Sequence, residues 1–361
     1  MTPRDLSLLA AVALLLGNVG CAGNSTPAGN LSVAVGPDTA AVVDSLGQVW
    51  GWGRLNTYVG GLPTEDSVTP QQIDGLRDGE ELCFGASHAL LRVLGGGIVV
   101  WSLDELDDPY VVQSLASARA LACGAYAMVA IDDAGTAWIL SAAGTSNAVD
   151  ARIAIEGLPP VVSGDCGDSH CAFIDENDAL WTWGENDRGQ LGTGTTTARS
   201  EPYQTPLTSG VERVSVGGAH TVALANGQTW GWGANESGQL AQTVLDDVLA
   251  PLRLESVAGV TEVAAGRAHS LFLFSDRNVA AVGANDRGQL GNSVISGDPV
   301  TFPAYVIDAD DGRDVRAAGD FSLAITARGF LAWGDNGHAQ LGTAGFTETG
   351  IPQLIGPVPA E

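Results

Sequence analysis

Four histidines, His88, His170, His220 and His269, stand at the same place in a phrase that recurs along the chain. Imidazole is a common metal ligand, so registered copies suggest a metal ring. Ligands of one zinc must all lie about 2 Å from it, and equivalent side chains on separate repeats stand several ångströms too far apart. The repeated histidine is therefore expected to be a hydrogen-bonded turn residue, with no metal bound. Apart from Cys21, the cysteines are Cys83, Cys123, Cys166 and Cys171, and no Cys-x-x-Cys pair points to zinc. In an oxidising compartment Cys166 and Cys171 are the candidate disulfide, because they flank a predicted tight turn; buried thiols are the alternative. Cys83 and Cys123 fall on the innermost strands of adjacent units, where a bond is possible only if the spacing is short enough.

Acidic clusters carry less. Asp308-Ala309-Asp310-Asp311-Gly312 begins like a calcium loop, but Gly312 stands where a third ligand should be and no glutamate closes it. It reads as an acidic surface turn, and Asp104-Glu105-Leu106-Asp107-Asp108 as a solvated loop. No nucleophile with its base, close acid pair or phosphate-cradling loop emerges, so neither catalysis nor a cofactor is expected.

The elements that hold these residues are repeats. Leu180 to Gly192 reads Leu-Trp-Thr-Trp-Gly-Glu-Asn-Asp-Arg-Gly-Gln-Leu-Gly, and similar stretches begin near Gln228, Val282 and Trp333. The period is roughly 50 residues, which points to a propeller or an array. Trp181 and Trp183, Trp230 and Trp232, and Trp50 and Trp52 are each two apart, so each pair shares one face of a strand. The following Gly and Asn-x-x-Gly end the strand in a turn. Leu191, Leu240, Leu290 and Leu341 are expected to plug the gaps between sheets, and Gln190 and its equivalents to satisfy loop backbone groups. Upstream, phrases such as Val216-Gly217-Gly218-Ala219-His220 open a short apolar strand, and Asn226-Gly227 supplies a hairpin turn before the Trp strand. Segments such as Pro251 to Leu254 and Pro352 to Ile355 suit an outer fourth strand, where a missing N–H is harmless.

The Val-x-x-Gly-x-x-His, Trp-Gly and Asn-x-x-Gly-Gln-Leu-Gly phrases together resemble the repeat of the regulator of chromosome condensation family. The resemblance implies an all-β fold, a seven-bladed β-propeller of four-stranded antiparallel blades. Counting the second Trp position gives Trp52, Trp101, Trp138, Trp183, Trp232, Val282 and Trp333, with units two and three the most degenerate. The first and last blades are expected to meet, with an N-terminal strand completing the last blade. Nuclear members of the family promote nucleotide exchange on a small GTPase and bind chromatin, but no basic tail for DNA is present here.

In chain order, residues 1–20 read as an export signal. A short polar start precedes the apolar run Leu6 to Leu16, which is too short to span a bilayer. Cys21 then resembles the lipidated cysteine of a bacterial lipoprotein, with plain secretion as the alternative. Residues 21–30 are a flexible tether and residues 31–361 the propeller. The formal net charge of −26 disfavours nucleic acid and anionic lipid and favours a partner with basic patches. The expected function is a non-catalytic module, monomeric, displayed on the cell envelope or secreted, that binds a macromolecular protein partner through loops of one propeller face. Its contact with a membrane is through the lipid anchor alone. Candidate contact residues are Asp187, Arg188, Glu236, Asp286 and Arg287. The competing class is an enzyme or small-ligand binder at the mouth of the central channel.

Overall fold

Glycine and Asn-Gly turns cut the chain into short strands, and each group of four folds back on itself. In the fifth group, Val211–Val216, His220–Ala225, Gln228–Gly233 and Val248–Arg253 follow as first, second, third and outer strand of one antiparallel sheet. Asn226 and Gly227 have φ of 54° and 68°, the pair of left-handed residues that a two-residue hairpin needs. The computed structural model describes residues 31–59, 62–103, 110–112, 115, 117–140, 152–345 and 347–355. Seven four-stranded sheets of this kind form the blades of a propeller, with no helix among the described residues. The export segment, the tether with Cys21, and Asp104 to Asp108 lie outside the described residues.

First strands of neighbouring blades touch around the whole ring, including Ser32–Val35 of blade one against Gly312–Ala318 of blade seven. Among the described residues no N-terminal strand joins the last blade. Blade seven is built from Gly312–Ala318, Phe321–Thr326, Gly329–Asp335 and Glu348–Leu354, four consecutive strands. Because each sheet is already complete, closure falls to side-chain contacts between blades. The outer strands carry prolines: Pro202 in Arg199–Gln204, Pro251 in Val248–Arg253 and Pro352 in Glu348–Leu354. An outer edge tolerates a residue that cannot donate to a ladder.

The apolar core is divided among the blade junctions. One cluster joins Val33, Ala40 and Trp52 of blade one to Phe321, Leu323 and Leu341 of blade seven. Another joins Leu271 and Leu290 of blade six to Val315 and Trp333 of blade seven. Leu191, Leu240, Leu290 and Leu341 are each 0% exposed, as plugs must be. Stability therefore comes from nearest-neighbour interfaces rather than from one central core.

A polar clasp runs through this apolar packing. The Trp232 indole N–H donates to the carbonyl of Gln190 in the preceding blade at 2.9 Å, and Trp333 does the same to Gln289 at 2.8 Å. Trp52 donates to Gln340 at 2.9 Å, so blades one and seven are joined by the contact used inside the ring. Gly53 sits at this junction with φ of 84°, and a Cβ there would lie 2.5 Å from the Asp38 carbonyl oxygen. Blade six has Val282 at the Trp position, and there the Ser270 hydroxyl donates to the Gln239 carbonyl at 2.7 Å.

Trp138 occupies the first Trp position and not the second. It pairs with Ala130 as Trp181 pairs with Phe173, and its N–H donates to Asp132 at 2.8 Å. Trp181 donates to Asp175 at 2.9 Å and Trp50 to Asp44 at 3.0 Å in the same way. A lone Trp in a degenerate strand does not reveal which of two alternating positions it fills; the hairpin aspartate six residues upstream does.

Replacing Trp52 with Phe keeps an aromatic plug but leaves the Gln340 carbonyl without this donor. Unfolding free energy from urea titration should fall by about 1–3 kcal/mol, as a buried unsatisfied group costs. Trp333→Phe should show a smaller loss, because the Gln289 carbonyl keeps the Ser322 hydroxyl as a donor.

Candidate functional site

The turn between first and second strands and the connection between third and outer strands emerge on the same face of each blade. Gln190 ties the two together, its side-chain amide donating to the Ser169 hydroxyl at 3.2 Å. Asn186 organises the connection from inside. Its side-chain oxygen accepts the Leu191 N–H at 2.9 Å, and its amide donates to the carbonyls of Thr195 and Thr197. Asn235, Asn285 and Asn336 accept from Leu240, Leu290 and Leu341 in the same manner. Gln190, Gln239, Gln289 and Gln340 each accept the N–H two residues upstream, which is the role their amide chemistry suggested.

All five candidate contact residues lie on these connections, but most are bonded within the ring. Asp187 and Asp286 accept from the side chains of Gln190 and Gln289 at 3.0 and 3.2 Å. Arg188 reaches blade five, bonding Asp247 at 2.6 Å and Glu236 at 3.1 Å. Arg287 reaches Glu348 of blade seven at 2.9 Å. Arg188 and Arg287 therefore act as struts between neighbouring blades, and Glu236 keeps a 68% exposed side chain.

The repeated histidines bridge blades. His170 meets Thr221 of the next blade at 2.7 Å, His220 meets Ser270 at 3.0 Å and His269 meets Ser322 at 2.8 Å, in each case through Nε2. Each hydroxyl spends its one proton on a Gln carbonyl, at Gln190, Gln239 and Gln289. The hydroxyl must then accept, so Nε2 carries the ring proton. Burial pushes His170 and His269 down to about 3 and His220 to about 4, which keeps the imidazoles neutral. Among the described residues no group of three or more His, Cys, Asp or Glu is placed to hold a metal ion. The signal for this relay was in the sequence. A hydroxyl follows His220 and His269 directly, as Thr221 and Ser270, and recurs at Ser322.

The central channel, a cavity of about 160 Å³, is lined by the first strands and holds Glu81, Arg92, Asp165, Arg213, Glu262 and Arg316. Several of these charges also join blades. Asp165 accepts the Val216 N–H at 2.8 Å and the Ser215 hydroxyl at 3.2 Å, and Arg213 donates to Glu262 at 3.2 Å. Arg316 of blade seven donates to the Val33 carbonyl of blade one at 3.3 Å. Burial pushes Asp165 up to about 6. Glu262 is pushed up to about 7, first by burial and then by the charge of Asp314.

One cysteine bond joins two blades and the other lies within a blade. Cys83 and Cys123 are bonded across blades two and three, their Cα atoms 5.6 Å apart, and Cys166 is bonded to Cys171 within blade four. At the acidic turn, Arg328 pairs with Asp311 at 3.2 Å and Asp310 at 3.6 Å.

Two sets of titrations oppose each other. A histidine held below its usual value favours folding less as pH falls, so stability contributed by His269 is lost between pH 6.5 and about 3. A carboxyl held above its usual value does the reverse, and the contribution of Glu262 is lost as pH rises from 4.5 to about 7. In urea titrations across this range, Glu262→Gln should therefore make stability rise more steeply with pH. His269→Gln should make it rise less.

Models of the regulator of chromosome condensation (RCC1) repeat match residues 177–224 and 226–273, and a second model of that description matches 161–190 and 260–289. The human E3 ubiquitin-protein ligase HERC2 is 27% identical over 223 residues, 54% of this chain and 5% of that protein. The probable E3 ubiquitin-protein ligase HERC4 of Rattus norvegicus is 32% identical over 201 residues, 48% of this chain and 19% of that protein. The chain thus spans only a small part of the curated relatives it matches. Among solved structures, Prp20p of Saccharomyces cerevisiae superposes with a TM-score of 0.73 at 20% identity, covering 91% of this chain and 88% of that one, a likeness of fold. With seven blades, the last four carrying the Gln-Leu phrase in register, and these repeat models matching its central part, the chain is an RCC1-like repeat protein.

Proposed function

We propose that this chain is a non-catalytic protein-binding module that meets a macromolecular partner through the loops of one propeller face, outside the cytoplasm. The observation that carries this reading is the asymmetry of the two faces. On one, connections of different composition, 185–198, 234–247, 286–295 and 336–347, are each anchored by a buried Asn and Gln while their outward residue types vary. A rigid frame with variable tips suits recognition of a surface. Prp20p, of like fold, is described by its binding properties to Gsp1p and histones, which supports a protein as the ligand class. The ligase activity named for the HERC relatives is not carried over, since the match covers 5% and 19% of those proteins.

The competing reading, an enzyme or small-ligand binder in the channel, would use Asp165 and Glu262. Their engagement in bonds between blades favours the binding module. Export rests on residues 1–20 and on lipidation at Cys21, and the two cysteine pairs are in keeping with an oxidising compartment. The charge of −26 favours a partner with basic patches and disfavours nucleic acid. Binding as a monomer, with membrane contact through the lipid alone, completes the proposal.

Photo-crosslinkers placed at Glu236 and Arg287 should capture the same protein in the source cell, and crosslinkers at Asn177 and Asp276 on the opposite face should not. Equal capture from both faces, or none from either, would count against the reading. Metabolic labelling with a palmitate analogue should mark the wild-type chain, and Cys21→Ser should abolish the label and release the protein from the membrane fraction.

A further inference from the structure

Trp52, Trp232 and Trp333 share one position in their blades and are each 0% exposed. Trp183 holds that position in blade four, paired with Cys171 as Trp232 is paired with Thr221, yet it is partly exposed. Between Leu140 and Arg152 the sequence contains no Gln-Leu pair. The Trp183 indole donates instead to Ser200 of its own blade at 3.0 Å.

What remains at this junction is an aromatic shelf. Trp183 packs on the cluster that contains the bonded Cys166 and Cys171 together with Phe173. It meets Tyr126 of blade three in an edge-type contact, with ring centroids 5.3 Å apart and planes at 65°. Tyr126 is 37% exposed and is fixed by its backbone N–H, which donates to the Gly167 carbonyl at 3.0 Å. Glu185 is exposed next to this pair, two residues from Trp183, with its N–H bonded to the Ser169 carbonyl at 3.0 Å. Its charge helps to raise the Tyr126 phenol above its usual value, after burial. Asp168 lies in the adjacent turn.

We propose that Trp183 and Tyr126, with Glu185 beside them, form the anchor point for an arginine- or lysine-bearing segment of the partner protein. Aromatic faces attract a cation through their quadrupole, a neighbouring carboxylate adds Coulomb attraction, and a rigid floor lowers the ordering cost of binding. Trp and Tyr are the residues most often found at the centre of protein interfaces. The net charge of −26 steers basic segments toward the molecule, and this shelf gives them a specific seat. The inference rests on the protein-binding reading above and names the spot and the partner chemistry.

The test is titration of the folded chain, 15N-labelled at tryptophan, with an arginine tetrapeptide amide at low and physiological salt. The Trp183 indole signal should shift saturably, with the Trp232 and Trp333 signals unmoved. Trp183→Leu and Glu185→Gln should each weaken binding by about fivefold or more, while Asp276→Asn on the opposite face should not. An unchanged unfolding midpoint for Glu185→Gln shows that the loss is not a folding defect. Shifts spread evenly over the tryptophans, or full affinity in both shelf variants, would reduce the effect to diffuse acidic attraction and overturn the proposal. Crosslinking separates the two readings: capture that survives both shelf substitutions sinks this site alone, whereas no capture by the wild type sinks the binding module itself.

Discussion

The fold depends on one buried carbonyl at each clasped junction. The Gln carbonyl of one blade accepts an indole N–H from the next, and at two junctions it also accepts a hydroxyl proton. These groups are buried among leucine and tryptophan, where an unpaired carbonyl would be costly. Because the bond is directional, it sets the register between adjacent sheets, which apolar packing alone would leave free to slide. It also draws in the loop that carries the Gln, so the contact that joins blades also fixes the functional face.

This device is unevenly spread. Junctions from blade four round to blade seven carry the His–hydroxyl–Gln relay, and the junction between blades seven and one carries Trp52 and Gln340 without a histidine. Blades two and three are joined by Cys83 and Cys123, and Arg92 pairs with Glu80 and Glu81 within blade two. Where the clasp lapses between blades three and four, an aromatic side chain is left partly exposed on the loop face. The variation that weakens the repeat thus provides surface that can be used for recognition.

Much of the blade was legible because its signals are local. The strand alternation, the Asn-Gly hairpin, the prolines of the outer strand and the paired roles of Gln190 and Leu191 all depend on residues within one unit. What was hidden lies between units. His220 looked like a turn residue because Ser270, its partner, is 50 residues away in the next blade. Arg188 and Arg287 looked free for a partner because Asp247 and Glu348 are 59 and 61 residues away. Trp138 was placed one alternation out because its strand has only one Trp, and ring closure by a borrowed strand failed because each blade already has its own four. At the candidate site, the loop face followed from the repeat. The exposure of Trp183 did not, since its indole turns to the Ser200 carbonyl of its own blade, 17 residues away.

Hydrogen exchange at the indole nitrogens, resolved by NMR, tests the closed ring most directly. In a ring clasped at its ends as it is inside, the Trp52 indole proton exchanges as slowly as those of Trp232 and Trp333, and far more slowly than that of the partly exposed Trp181. A Trp52 proton that exchanges as fast as Trp181 in the folded protein would mean that blades one and seven are not joined.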